Sequence, residues 1–227
     1  MVLGSSPSTR TFSFLNHNQI CYYFAMENNV KAETVTRGHG LLEGFLARKR
    51  AAMADKLIPD SHRHGRILDI GCGTTPYFLA HTYFQEKFGI DPVLGELREE
   101  KGLNLQRFDV EEGKPLPFQN DFFEVVSMLA VFEHIKQDVL PTFLSEVYRV
   151  LKPGGMLVLT TPCSWSDGIL KVLANTGMVS KEEIHEHEGA YNHQNITAFL
   201  EKGGFKNENI KLGYFELFLN NWGTARK

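Results

Sequence analysis

The chain reads as an α/β domain built on an open, doubly wound, mostly parallel sheet with helices on both faces, and three observations point there. Residues 66–76 run from the apolar strand Arg-Ile-Leu-Asp-Ile into the turn Gly71-Cys72-Gly73 and then into a helix start. Such a turn lets the backbone pass closely beneath a ligand at the strand's carboxyl end, where open parallel sheets bind cofactors. Strand and helix patterns alternate along the chain, as a parallel sheet with crossover helices requires. Residues 122–129 form a continuous apolar run carrying one acid, the pattern of a parallel strand buried on both faces.

Taken in order, Leu42, Phe45, Leu46, Met53 and Leu57 recur at helical spacing. They predict a helix over 40–57 that packs on the sheet or caps the cofactor site and ends at Pro59. The strand at 66–70 and its glycine turn lead into a helix over 76–84. The segment Phe88-Gly89-Ile90-Asp91 closes a second strand, 92–101 is a weaker helix stopped by Gly102, and the alternating 103–108 is a third strand ending at Asp109. The fourth strand is the apolar run 122–129. Leu140, Phe143, Leu144, Val147, Tyr148 and Leu151 then trace a helical stripe that breaks at Lys152-Pro153-Gly154-Gly155, and 156–161 returns as a fifth strand.

The connection 163–191 is far longer than the two to six residues usual in such units, so it should carry its own helices and a function as a substrate lid. Residues 169–174 can form one helix, with Gly177 as terminator, and Ser180-Lys181-Glu182-Glu183 matches a capping box for another. Asn192 can cap a helix whose Ile196, Phe199 and Leu200 face the core before Gly203-Gly204 ends it. Residues 205–214 and 221–226 read as the last two strands.

A length of 227 residues with 42% hydrophobic content supports one substantial core. The expected division is a partly disordered N-terminal extension, 1–37, and a single domain, 38–227. Arg10, the Ser and Thr residues and the lack of an acid before Glu27 give the first residues a transit-peptide-like composition. A plain extension, or a start upstream of Met26 that is too long, accounts for them equally. A formal charge of −3 provides no broad basic surface for nucleic acid, which makes small molecules the expected partners. Cys21, Cys72 and Cys163 match neither a disulfide framework nor a zinc pattern, so a reducing, cytoplasmic setting is expected, and no apolar run approaches a membrane span.

The chemistry concentrates on one rim. Asp91 stands about twenty residues past the glycine turn, where a ribose hydroxyl pair needs an acceptor. Asp109 marks the next strand end. Pro76 occupies the third small position of a dinucleotide fingerprint and removes one phosphate donor, which suits a cofactor without a pyrophosphate.

In these motifs the chain resembles the class I S-adenosylmethionine-dependent methyltransferases. The resemblance runs in order through Leu68-Asp69-Ile70-Gly71-Cys72-Gly73, Gly89-Ile90-Asp91, Phe108-Asp109-Val110, Leu116-Pro117-Phe118 and Phe123-Glu124-Val125-Val126. It continues through Phe132-Glu133-His134, the segment from Glu146 to Gly155, and Gly204-Phe205. It implies a seven-stranded sheet whose last strand is antiparallel, S-adenosylmethionine as cofactor, and methyl transfer to a small-molecule acceptor, with oxygen favoured as the atom attacked. It places the cofactor against Asp69, Gly71, Cys72, Gly73, Thr74, Asp91, Asp109, Val110 and Leu129. Asp91 would meet the ribose, Asp109 and Val110 the adenine, and the glycine turn with Thr74 and the Leu129 carbonyl the amino-acid end.

Each position also has a plainer reading. Asp91 can be a helix N-cap, Asp109 a turn cap, and Cys72 a small side chain that fits between glycines rather than a nucleophile. His134 is the candidate general base, with a structural histidine as the alternative and Glu133 beside it to orient it or to touch substrate. Trp165, His185, His187, Tyr191 and His193 are expected to contact the acceptor. The histidines suit a solvated loop better than a metal site, so no metal is expected. Two other functions share the glycine turn and the distant acid: a nicotinamide-dependent oxidoreductase, which Pro76 opposes, and a cofactor-binding regulatory module without turnover.

Overall fold

The computed structural model describes residues 43–94, 97–100, 102–163, 191–216 and 218–227. The N-terminal extension and the insert helices expected at 169–174 and 180–183 lie outside them. In chain order the elements are α1 (Glu43–Leu57), β1 (Arg66–Ile70), α2 (Tyr77–His81), β2 (Glu86–Asp91), β3 (Leu97–Glu100), β4 (Leu103–Arg107) and β5 (Phe123–Leu129). They continue with α3 (Leu140–Val150), β6 (Leu151–Pro162), α4 (His193–Lys202), β7 (Ile210–Phe215) and β8 (Asn220–Arg226).

The strands form one sheet in the order β3-β4-β2-β1-β5-β6-β8-β7. Strands β4, β2, β1, β5 and β6 are mutually parallel, whereas β8 runs antiparallel between β6 and β7. This is the expected seven-stranded sheet with its last strand reversed, extended by one short edge strand. That strand, β3, corrects the helix expected over 92–101. Leu97 pairs with Gln106 and Glu100 with Leu103, and Gly102 turns the hairpin at φ 77°. Arg98-Glu99-Glu100 offers no apolar helical stripe, and pairing along the otherwise open edge of β4 satisfies the backbone instead.

Two boundaries also move. The helix expected over 76–84 is only the single turn and a half of α2, because Thr82 is already extended. The glycine break after α3 lies inside β6, since Leu151 passes straight from helix to strand and pairs with Phe123 before a register shift. The strand expected from 205 begins at Ile210, after the short turn Asn207–Asn209.

Alternation along the central strands sends neighbouring side chains to opposite faces. Leu68, Val126, Leu157 and Leu159 meet α3 and α4 on one face; Ile67, Val125 and Val158 meet α1 and α2 on the other. Both faces are covered, which is why these strands read as unbroken apolar runs. Helix α3 buries Leu140, Phe143, Leu144, Val147 and Val150, each worth about 1.5–3 kcal/mol when fully buried. On α1, Arg63 closes the carboxyl end: its guanidinium donates to the Asp55 carbonyl at 2.7 Å and the Ile58 carbonyl at 3.3 Å, and pairs with the Asp55 carboxylate at 3.0 Å. Carbonyls left open at a helix end are satisfied in this way, and α1 is held at a fixed place on the sheet.

Candidate active site

The carboxyl ends of β1, β2, β4 and β5 surround a cavity of about 540 Å³. Its floor is the glycine turn, tied to β2 by Gly71 N–H donating to the Ile90 carbonyl at 2.8 Å. Gly71 and Gly73 sit at φ 73° and 69°, where side chains are disfavoured. Their roles differ. A Cβ on Gly71 would fall 2.3 Å from Val131 Cγ2, so that glycine lets the β5 loop close over the turn. A Cβ on Gly73 would meet only the Thr75 nitrogen at 4.0 Å, so the missing side chain leaves open cavity directly above the backbone.

Asp91 is 4% exposed at the end of β2. Its Oδ2 accepts from Gly73 N–H and its Oδ1 from Val93 N–H, both at 3.0 Å. No helix follows Asp91, so it caps the turn at Pro92 and Val93 rather than a helix, and the same carboxylate fixes the glycine turn to β2. Asp109 Oδ1 accepts from Glu111 N–H at 2.9 Å and caps the turn Val110–Glu112. Both acids line the cavity, with Phe108, Val110 and Ile135 supplying apolar wall. Helix α2 has only five residues, too short for a helix-dipole phosphate site, and Pro76 donates no hydrogen bond there.

Beneath the turn, Asp69 is 4% exposed, and Ser127 Oγ donates to its Oδ1 at 2.6 Å. Burial pushes the Asp69 carboxyl up from 3.8 to about 7; the Ser127 hydrogen bond opposes the rise and the Asp91 charge adds to it. The same burial, with the charges of Asp69 and Asp91, drives the Cys72 thiol far above its ordinary range. Cys72 is held as a neutral thiol and serves as packing: a Cβ on Gly89 would lie 2.8 Å from its Sγ.

Of the residues named from sequence, Asp69, Gly71, Cys72, Gly73, Asp91, Asp109, Val110, Leu129 and His134 all line this one cavity. Thr74 is exposed and Thr75 takes the lining place. Glu133 is 1% exposed, its Oε2 makes no hydrogen bond, and it is not among the residues that line the cavity. Tyr191 is buried edge-on against Phe132 at 5.0 Å, and His193 stacks on Tyr214 at 4.2 Å. Trp165, His185 and His187 fall outside the described residues. Among those described, no group of three His, Cys, Asp or Glu residues could hold a metal ion.

Sequence reasoning missed Ser127 and Arg50. Ser127 is a polar residue in the apolar β5 run, and the register that sets it opposite Asp69 becomes visible only once β1 pairs β5. Arg50 on α1 lines the cavity beside Ala47 and Ala51; in sequence it looks like one more charge on a solvated helix face.

Comparison with known proteins agrees with this geometry. The chain is 32% identical over 132 residues to the uncharacterized methyltransferase YcgJ of Bacillus subtilis, covering 55% of this chain and 51% of that one. It is 29% identical over 123 residues to a probable chloroplastic tocopherol O-methyltransferase of rice, Oryza sativa, covering 49% and 33%. The match thus spans about half the length of the first relative and a third of the second. The solved S-adenosylmethionine-dependent methyltransferase of Mesorhizobium loti superposes with a TM-score of 0.56 at 16% identity, over 78% of this chain and 96% of that one, a likeness of fold. Residues 40–210 match the family model described as a methyltransferase domain. With that match over most of its length, the chain belongs to the class I methyltransferase family, whose members draw the methyl group from S-adenosylmethionine.

Proposed function

We propose that this protein transfers the methyl group of S-adenosylmethionine to a small-molecule acceptor, with oxygen the favoured atom. The observation that carries the reading is a single cavity in which an open glycine turn, two carboxylates on adjacent strand ends and a histidine face one another. The residues fit the cofactor. The space above Gly73 accommodates its amino-acid end, Asp91 is set to accept the ribose hydroxyls, and Asp109 with the Val110 N–H is set to read the adenine edge. When bound, the cofactor supplies an electrophilic methyl on a sulfonium.

The chain's own contribution is placement. The turn and carboxylates hold the nucleoside, the apolar wall excludes water, and an acceptor approaching past Leu129 and His134 is aligned for in-line attack. A neutral hydroxyl must shed its proton as it attacks, and the His134 imidazole can take it. We assign the insert 163–191 to the acceptor, and the buried thiol of Cys72 suits a cytoplasmic setting. Among the described residues no helix is long and apolar enough to cross a membrane. The rice relative, named as an O-methyltransferase, supports the choice of oxygen.

The test is a panel of phenol, catechol, carboxylate and amine acceptors followed by single-turnover kinetics of His134→Ala. Methyl transfer to a hydroxyl, slowed at least about 100-fold in the variant, is the expected result. An unchanged chemical step would remove the base, and no turnover with any acceptor despite cofactor binding would favour a regulatory module.

A further inference from the structure

The turn that joins β7 to β8 is strained at two residues. Glu216 and Phe218 hold φ at 52° and 68°, where a residue with a Cβ is disfavoured. Backbone of this kind persists only where its surroundings fix it, and it gathers at ligand clamps. The turn sits on the carboxyl edge of the sheet, where the cavity also lies: Asn220 pairs with Pro162 at the end of β6, and the Leu219 carbonyl accepts from Cys163 N–H at 2.9 Å.

Glu216 is half-buried, and its two oxygens differ. Oε2 accepts from Asn220 Nδ2 at 2.7 Å, whereas Oε1 is enclosed and accepts no hydrogen bond. A carboxylate oxygen left in that state is costly, and native proteins leave few of them. Burial raises the carboxyl above its ordinary range, while the Arg50 charge, the Asn220 hydrogen bond and the Lys49 charge oppose the rise. Arg50 is itself a wall of the cavity, and α1 packs over β5, β6 and β8. Glu216 therefore stands on the side of the cavity away from Asp91 and Asp109, which end β2 and follow β4. From the same turn Phe218 is 64% exposed and meets Tyr214 edge-on at 5.8 Å, and Tyr214 is 44% exposed over His193. A phenylalanine kept outward at positive φ spends backbone energy without burying its ring, which suits a surface held ready for a ligand.

We propose that this turn selects the acceptor: Glu216 Oε1 accepts a hydroxyl from a neutral ring compound that carries a second hydroxyl for methylation, and Phe218 with Tyr214 receives the apolar face of the ring. An unpartnered carboxylate oxygen calls for a donor, and the nearby charges of Arg50 and Lys49 favour a neutral O–H over an ammonium. Benzenediols and sugars share this chemistry, a donor-bearing rim around an apolar face. The inference deepens the reading of a small acceptor attacked at oxygen and rests on it.

The experiment measures binding to the complex with S-adenosylhomocysteine by NMR titration, so that no turnover is needed. The probes are phenol, the three benzenediols and methyl glucoside. A benzenediol or the glucoside should bind at least about 10-fold more tightly than phenol, and whichever does so identifies the ring as aromatic or sugar. Glu216→Ala should erase that preference while affinity for S-adenosylhomocysteine stays within about twofold of the parent. Glu216→Gln should keep part of the preference through its amide oxygen, and it serves in place of the Ala variant should that one fail to fold. Phe218→Ala should weaken phenol and the preferred probe alike. The absence of any preference in the parent would overturn the proposal, as would a preference that survives Glu216→Ala or ring binding indifferent to Phe218→Ala. A loss of S-adenosylhomocysteine affinity in both Glu216 variants, with the preference intact, would assign Glu216 to holding α1 and also overturn it. Failure of the underlying reading looks different: a probe that shows the full Glu216-dependent preference yet is never methylated would remove methyl transfer to oxygen and leave the subsite standing.

Discussion

Asp91 joins two strand ends through one carboxylate, so its removal has two effects. Asp91→Ala removes the carboxylate proposed to accept the ribose hydroxyls and also frees the Gly73 N–H that Oδ2 holds at 3.0 Å. Calorimetry with S-adenosylhomocysteine should show a loss on the order of 100-fold or more. Asp69 makes the opposite kind of prediction. Its carboxyl is raised from 3.8 to about 7, so the folded protein binds that proton more tightly than the unfolded chain. The ligand-free protein should therefore lose stability as pH climbs from about 4 to about 7, by a few kcal/mol. Asp69→Asn keeps an acceptor for Ser127 and should flatten that dependence in denaturant unfolding measured at pH 5 and pH 8. A slope that survives the substitution would place the titrating group elsewhere. The acids were legible from their spacing after the glycine turn and from the family resemblance, and the structure brings them to one cavity. Ser127 and Arg50 were hidden, since their meaning comes from a cross-strand register and from the side of the sheet on which a helix settles.

Among the elements, α3 does more than cover the sheet. Arg149 on its last turn donates to the Leu116 carbonyl at 3.0 Å, the Phe118 carbonyl at 2.8 Å and Asn120 Oδ1 at 2.8 Å, while Glu146 Oε2 accepts from Leu116 N–H at 2.9 Å. The loop leading into β5 is thus bolted to the helix that follows β5. Arg149→Met should cost about 2 kcal/mol in denaturant unfolding and leave S-adenosylhomocysteine affinity unchanged, because neither Leu116 nor Phe118 touches the cavity. The pattern Glu146-Val-Tyr-Arg149 was legible as a family signature, and its physical content proves to be this clamp. Elements with strong local periodicity were legible too: α3, β5 and α4 fall within a few residues of expectation. Strand β3 was not, since nothing within 97–100 announces a strand. Its conformation is decided by a partner several residues away, which no local pattern can encode.

At the scale of the molecule, the order β4-β2-β1-β5 places the first strand at the centre and opens a crevice where successive connections leave on opposite faces. That topology was readable because the glycine turn, the two acids and the apolar strands come in a fixed order along the chain. What the sequence could not convey is where the chain leaves the sheet after β6 and returns to it, since that depends on residues whose partners lie far away in sequence. Cys163 and Tyr191 form an isolated parallel bridge, Cys163 N–H donates to the Leu219 carbonyl at 2.9 Å, and Asn221 Nδ2 donates to the Tyr191 carbonyl at 3.1 Å. The backbone departs from the sheet and rejoins it at a single seam, stitched to β8. Replacing 164–190 with a short glycine-serine linker should therefore leave S-adenosylhomocysteine affinity within about threefold of the parent while turnover collapses; a loss of cofactor binding would contradict it. Under the proposed assignment of that stretch to the acceptor, a seam of this kind makes it an exchangeable cassette. Lineages could trade one acceptor for another there by recombination, with the nucleoside-holding half inherited unaltered.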